Sequence, residues 1–145
     1  MRGDPLHNAM GREIGLTLEN YFFEVHPEYK YCRNGIVTFL DLFASQGSFV
    51  FACEIETTAR HGVDNAVKAA AVNIPLWIIV PTNKVKLKLL RRLKPLKLRP
   101  GGEPIKILLL GQLQKELEGY LSLRRVSELQ SNIPVINKLK GENGL

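Results

Sequence analysis

Three acidic residues, Asp41, Glu54 and Glu56, lie within apolar segments of the chain where acids are unusual. Asp41 interrupts the run FLDLF, and Glu54 and Glu56 end the run FVFACEIE. Alternation along a strand places Glu54 and Glu56 on the same face. Buried, unpaired carboxylates are unfavourable, whereas a divalent cation such as Mg2+ is bound well by carboxylate oxygens. The pattern therefore indicates a metal site, and solvated strand ends with Asp41 paired to a lysine are the alternative.

The predicted turn between the two strands sets a geometric condition on this site. A tight turn at residues 45–47 places Asp41 opposite Val50 or Phe51 rather than opposite Glu54. We therefore expect Asp41 and Glu54 to meet only if one of the strands bends or bulges near the site.

The elements that must position these acids follow from apolar periodicity and from glycine and proline punctuation. Residues 1–10 are expected to be a loose end, and residues 83–93 could form either a helix or a strand. We predict helices at 11–22, 62–72, 83–93 and within 112–130, and strands near 28–32 and at 36–43, 48–56, 76–80 and 105–110.

This order of elements predicts an α/β fold with a mixed central sheet flanked by helices. Three consecutive strands form a meander, and the helix at 62–72 allows the next strand to pair in parallel. A chain of 145 residues favours a single domain, 1–145, with a core at about 11–110 and a C-terminal helical extension at about 111–145.

The charge distribution points to an anionic partner. The chain carries a formal net charge of +6, and the segment 84–99 holds eight basic residues and no acid. An amphipathic helix on a membrane surface and a merely solvated face are the alternatives, but DNA phosphates fit best. The candidate nucleic-acid contacts are Arg60, His61, Lys68, Lys84, Lys88, Arg91 and Arg92, of which Lys68 and His61 are also open to a solvated interpretation.

Residues 11–80 resemble the PD-(D/E)xK nuclease superfamily, which has the restriction-endonuclease-like fold. Its αβββαβ core has the predicted order of elements, with an acid on the first helix, an acid in the second strand and an E-x-K on the third. Glu13, Asp41 and Glu54 match the three acids, although Leu40 stands where the family has proline. The interval from Asp41 to Glu54 is similar to that of archaeal Holliday-junction resolvases. Glu56 occupies the position of the family's lysine.

The resemblance implies a DNA endonuclease dependent on Mg2+ or Mn2+, acting on branched or mobile-element DNA. It implies that Glu13, Asp41 and Glu54 hold the metal and that Asp41, Glu54 and Glu56 are catalytic. Lys68 could supply the positive charge that the motif lacks. A DNA-binding or assembly protein of the same fold without catalysis, or an RNA-processing nuclease, are the alternatives.

The sequence also leads to expectations about cellular location, membrane contact and oligomeric state. The chain has no run of the roughly 20 apolar residues that a membrane helix needs, and its start lacks an apolar signal region. We expect a cytoplasmic protein without a membrane partner. Because so small a domain contacts only a short stretch of DNA, we also expect a homodimer, with residues 112–130 as a possible interface.

Overall fold

The computed structural model describes residues 4–33, 35–72, 74–94 and 105–123. The chain divides into two compact units, Met1–Leu113 and Gln114–Leu145. In the second unit, residues 114–123 are described and helical, in agreement with the helix predicted there; residues 124–130 of that prediction lie outside the described residues. The elements of the first unit are α1 (Pro5–Asn20), β1 (Glu24–Arg33), β2 (Ile36–Gln46), β3 (Phe49–Ile55), α2 (Gly62–Val72), β4 (Leu76–Val80), α3 (Asn83–Leu93) and β5 (Ile105–Leu109), with a short 3-10 turn at Leu110–Gln112.

The first unit is built on a five-stranded mixed sheet in the order β1-β2-β3-β4-β5. β1, β2 and β3 form an antiparallel meander, and β3, β4 and β5 pair in parallel. The predicted α/β class with a mixed sheet flanked by helices is confirmed. The helix α2 joins β3 to its parallel neighbour β4, as the alanine-rich crossover segment predicts.

β4 lies in the middle of the parallel part of the sheet and is buried throughout its length. Its five residues, LWIIV, are uniformly apolar because a parallel strand covered on both faces has no solvent side. On one face Trp77 stacks against Phe51, with ring centroids 4.3 Å apart. On the other face Leu76, Ile78 and Val80 join a core cluster. β4 thus anchors the strand β3 that carries Glu54.

The helix α1 begins six residues earlier than the sequence predicts. The side chain of Asp4 accepts a hydrogen bond from the Leu6 N–H at 2.9 Å and caps the helix, and Pro5 occupies its first turn. Both are recognised signals of a helix start. The expectation of a loose end at residues 1–10 is therefore wrong for the described part of it, 4–10. The buried stripe of α1 also extends toward the N-terminus of the helix, to His7.

β1 is longer than predicted and forms an edge of the sheet. It includes Pro27, which an edge strand tolerates because one side of its backbone needs no partner. The hairpin to β2 pairs Arg33 with Ile36. Gly35 has a φ of 76°, as such a hairpin requires.

The turn between β2 and β3 differs from the prediction, and the difference determines which residue lies opposite Asp41. Gln46 pairs with Phe49, so the loop consists of Gly47 and Ser48 rather than residues 45–47. Gly47 adopts a φ of 60°, which closes this two-residue loop. The pairing then runs to Leu42 opposite Cys53, which makes Asp41 and Glu54 the next opposed positions.

The segment 83–93 is helical, and the alternative of a strand is wrong. The Thr82 hydroxyl accepts a hydrogen bond from the Val85 N–H at 3.3 Å and caps the start of α3. Leu89 is fully buried and packs with Val85 and Leu93 in the core cluster. This periodicity of four residues turns the intervening lysines and arginines outward. Within the described residues, no helix is long and apolar enough to cross a membrane.

Candidate metal and phosphate site

Asp41 and Glu54 meet at the end of the β2–β3 ladder, and they are called the acid pair below. The Asp41 backbone N–H donates to Glu54 Oε2 at 3.4 Å, and Asp41 Oδ2 accepts from the Ile55 N–H at 2.8 Å. Each carboxylate thus contacts the strand that carries the other. The predicted meeting of the two acids is confirmed. The turn at Gly47 sets a register in which they are opposite one another, and the backbone is also distorted beside them, at Glu28 of β1.

Glu54 is buried, with 6% of its surface exposed, and its surroundings favour the protonated form. Burial raises the pKa of Glu54, and the adjacent Asp41 carboxylate raises it further, while the Asp41 backbone N–H acts in the opposite direction. Two carboxylates placed together cannot both ionise without a nearby positive charge. The acid pair is therefore a position at which a cation would replace a proton.

The side chain of α1 that contacts the acid pair is His7. Its Nε2 lies 3.3 Å from Asp41 Oδ1, and the imidazole is buried. His7 reaches the sheet because α1 approaches closely: a Cβ atom at Gly11, one turn further along, would lie 3.3 Å from Ile55 Cδ1. The other ring nitrogen, Nδ1, is buried without a hydrogen-bond partner.

Glu13, which the sequence predicts as the metal ligand from the first helix, lies exposed on α1. Among the described residues, no group of three or more His, Cys, Asp or Glu side chains is arranged to hold a metal ion. The structure therefore brings Asp41 and Glu54 together but does not bring Glu13 to them.

The strand β1 is distorted beside the acid pair. Pro27 pairs with Leu42 and Tyr29 with Leu40, which leaves Glu28 opposite Asp41. Glu28 has a φ of 50°, a conformation that non-glycine residues seldom adopt. A groove of about 560 Å³ opens here between α1 and the sheet, and both His7 and Asp41 line it. Asp41 is thus accessible from the α1 side, unlike the more deeply buried Glu54.

Glu56 follows β3 directly and is held by a side chain of α2. Its backbone N–H donates to the Ile79 carbonyl at 3.0 Å, and the Asn65 side-chain amide donates to its Oε1. Burial raises the pKa of Glu56 to about 7; the Asn65 hydrogen bond lowers it, and the charges of Asp41 and Asp64 raise it. Glu56 therefore exchanges a proton close to neutral pH.

A pocket of about 390 Å³, called the basic pocket below, joins Glu56 to four of the predicted nucleic-acid contacts. The loop after β3 contributes two of them and α3 the other two. Arg92 Nη1 also donates to the Ala59 carbonyl at 2.9 Å, which ties α3 to this loop. The four basic residues that line the basic pocket are Arg60, His61, Lys88 and Arg92.

The remaining predicted contacts do not line the basic pocket. Lys68 is exposed on α2, and Lys84 and Arg91 are exposed on α3. Arg91 Nε donates to the Leu87 carbonyl of its own helix at 3.5 Å. These residues form charged surface outside the pocket that contains Glu56.

Two residues of the site were missed from the sequence, His7 and Asn65. His7 precedes the apolar repeat of α1, but the Asp4-Pro5 start signal and the spacing of His7 to Met10 and Ile14 could have revealed it. Asn65 carries no comparable signal, because its partner Glu56 is nine residues away on another element.

No protein-family model matches the chain, and no curated protein sequence matches it significantly.

Proposed function

We propose that the protein is a metal-dependent nuclease that hydrolyses phosphodiester bonds in DNA. The observation that carries the proposal is the acid pair: Asp41 and Glu54 meet on adjacent inner strands, where Glu54 is buried and its pKa is raised. The resemblance of residues 11–80 to the PD-(D/E)xK superfamily supports the same function. The basic pocket beside Glu56 supplies a place for phosphate.

The residues present fit a divalent cation. Within the described residues, neither acid of the pair forms an ion pair with lysine or arginine, and His7 is the basic side chain at Asp41. Mg2+ is commonly held by one or two carboxylates and keeps several waters, so a site with two carboxylates is sufficient. Asp41 and Glu54 would hold Mg2+ or Mn2+. The bound ion would polarise the scissile phosphate and lower the pKa of a water molecule.

The residues of the chain have separate tasks in this proposal. Arg60, Lys88 and Arg92 bind a phosphate group of the DNA through charge-assisted hydrogen bonds. Glu56 accepts a proton from the attacking water, since a general base works best when its pKa lies near the working pH. Asn65 holds the Glu56 carboxylate in place. Glu56 thus takes a role at the position where the family has lysine.

Cleavage assays test this proposal. The wild-type protein is incubated with plasmid, branched and single-stranded DNA in the presence of Mg2+ or Mn2+, and Asp41→Asn serves as the inactive variant. Asp64→Asn is the matched control, because it removes the same charge from an exposed position on α2. We expect cleavage by the wild type and by the control only. Equal cleavage by Asp41→Asn, or none by any protein, would end the nuclease proposal.

A second candidate is a DNA-binding or assembly protein of the same fold without catalysis. It is favoured by one observation: Glu56 stands in place of the family's lysine and is engaged by Asn65. This candidate predicts DNA binding that depends on Arg60 and Lys88 in the absence of cleavage on every DNA form.

We further propose that the protein acts on DNA as a homodimer. One chain gathers four basic residues around the basic pocket, whereas a duplex or a junction has at least two strands. Light scattering of the protein with and without DNA tests this proposal. A mass of one chain per DNA molecule under saturating protein would contradict it.

A further inference from the structure

The basic pocket has the charge of a phosphate site and a volume that suits one small group, such as a terminal nucleotide, rather than a length of duplex. It encloses about 390 Å³, and its basic side chains come from two separate elements. The hydroxyl of Thr58, which also lines it and accepts from the Arg60 N–H, is an additional hydrogen-bond donor.

The chain builds this pocket by bringing α3 close to the loop after β3. A Cβ atom added at Gly62 would lie 2.1 Å from Leu89 Cδ1, so the start of α2 touches the buried side of α3. Lys88 and Arg92 flank Leu89 on α3, and Arg92 bonds to the Ala59 carbonyl of the loop. The close approach at a glycine therefore sets the position of the cationic groups.

The charges of the pocket match a phosphate monoester better than a diester. Arg60, Lys88 and Arg92 provide three positive charges, and Glu56 provides at most one negative charge. A terminal phosphate monoester carries about −1.5 to −2 at pH 7, and a backbone diester carries a single negative charge. A monoester also presents three free oxygens, which suits several donors converging on one group.

We propose that the basic pocket binds the terminal phosphate of a DNA strand. This proposal rests on the function proposed above, and it makes that function specific: the substrate is a strand end that carries a phosphate. Because Glu56 lines the same pocket, a strand held by its end lies beside this carboxylate. Ends with a phosphate are then selected over ends with a hydroxyl.

Binding without cleavage tests this proposal. Dissociation constants are measured by fluorescence anisotropy, in EDTA, for three versions of one oligonucleotide: with a 5′ phosphate, with a 3′ phosphate and with neither. We expect one phosphorylated version to bind about tenfold more tightly than the unphosphorylated one, as a new charge-assisted hydrogen bond predicts. The double variant Arg60→Gln/Lys88→Gln should abolish this preference.

A charge-matched control separates the pocket from general attraction. The double variant Lys84→Gln/Arg91→Gln also removes two positive charges, but both residues lie on α3 outside the pocket. It should weaken binding to all three oligonucleotides alike and keep the preference for the phosphorylated one. Circular dichroism of both double variants checks that they fold, since all four residues are exposed.

Three results would overturn the proposal. The first is equal affinity for all three oligonucleotides. The second is a preference for the phosphorylated end that decreases equally in both double variants. The third is competition by inorganic phosphate although the phosphorylated strand binds no more tightly than the unphosphorylated one. Because EDTA removes divalent cations, these outcomes do not depend on catalysis. If the preference for a phosphorylated end is present but no DNA is cleaved in Mg2+ or Mn2+, the proposed nuclease activity is refuted and the proposed binding of a terminal phosphate stands.

Discussion

The acid pair and the basic pocket differ in how far their charged side chains are exposed to solvent. Asp41 and Glu54 sit on inner strands, and Glu54 has only 6% of its surface exposed. Arg60, Lys88 and Arg92 are exposed on a loop and a helix. Buried carboxylates lower the stability of the fold, whereas solvated cations cost little. Under the proposed function, we therefore expect substitutions of the acids to change turnover and stability, and substitutions of the cations to change affinity.

The largest expected effect comes from the acid pair. Asp41→Asn and Glu54→Gln should each reduce cleavage by roughly a thousandfold, the order found when a major electrostatic contribution is removed. Binding of DNA without metal should be unchanged or tighter, because negative charge near phosphate is removed. Single-turnover cleavage and anisotropy measure the two effects on the same preparations. Parallel decreases in cleavage and binding would contradict the separation between the two regions.

The contact between Gly62 and Leu89 offers a structural test of the basic pocket. Gly62→Ala introduces a Cβ at 2.1 Å from a fully buried leucine, so we expect a decrease of about 1–3 kcal/mol in the free energy of unfolding. The preference for phosphorylated ends should decrease as α3 shifts. Gly15→Ala on α1 is the control, because nothing lies within 4 Å of its added Cβ. Urea unfolding that shows equal stability for both variants would contradict the packing described.

Glu56 belongs to both regions, because it lines the basic pocket and lies two residues after Glu54 of the acid pair. Replacing it tests which of the two regions it serves. Glu56→Lys introduces the lysine that is common in the PD-(D/E)xK superfamily, which residues 11–80 resemble. This variant should bind metal more weakly and keep or gain cleavage, because a lysine can orient water near Glu54. Glu56→Ala should cut less well than either, since it offers neither a base nor a cation. Cleavage rates and metal titrations in Mg2+ and Mn2+ compare the three proteins. Equal rates for all three would make Glu56 a bystander.

The smallest effect is expected on the charged surface outside the pocket. Lys84→Gln/Arg91→Gln should lower the slope of log Kobs against log salt by about 0.9 for each DNA phosphate that the variant no longer neutralises on a duplex. The decrease in affinity should be the same for all sequences, because phosphate contacts carry no sequence information. A salt titration of binding measures the slope. An unchanged slope would show that Lys84 and Arg91 do not contact the phosphates of the duplex.

Much of the fold could be predicted from the sequence, because its signals are local. The apolar run of β4, the alanine-rich helix α2 and the Thr82 cap of α3 each depend on neighbouring residues. The partner of Asp41 on β3 could be predicted, but not the register that joins them, since a turn at Gly47 instead of one residue earlier changes every opposed pair.

The remaining features depend on contacts between distant residues. Glu13 and His7 are both on α1, and only the approach of that helix to Ile55 decides which of them faces Asp41. Arg60 and Lys88 are individually visible as basic residues. Their assembly around one pocket depends on the packing of Gly62 against Leu89, which no local pattern encodes.

The central claim, that the acid pair is a cation site, is tested most directly by thermal unfolding as a function of pH and divalent cation. In the metal-free protein, Glu56 keeps its proton between its ordinary pKa of 4.5 and about 7, where the unfolded chain has released it, and the pKa of Glu54 is raised as well. Stability should therefore fall as pH rises through this range. At pH 8, Mg2+ or Mn2+ should raise the Tm of the wild type and of Asp64→Asn, and should leave that of Glu54→Gln unchanged. An equal rise in all three proteins, or none in the wild type, would contradict the claim.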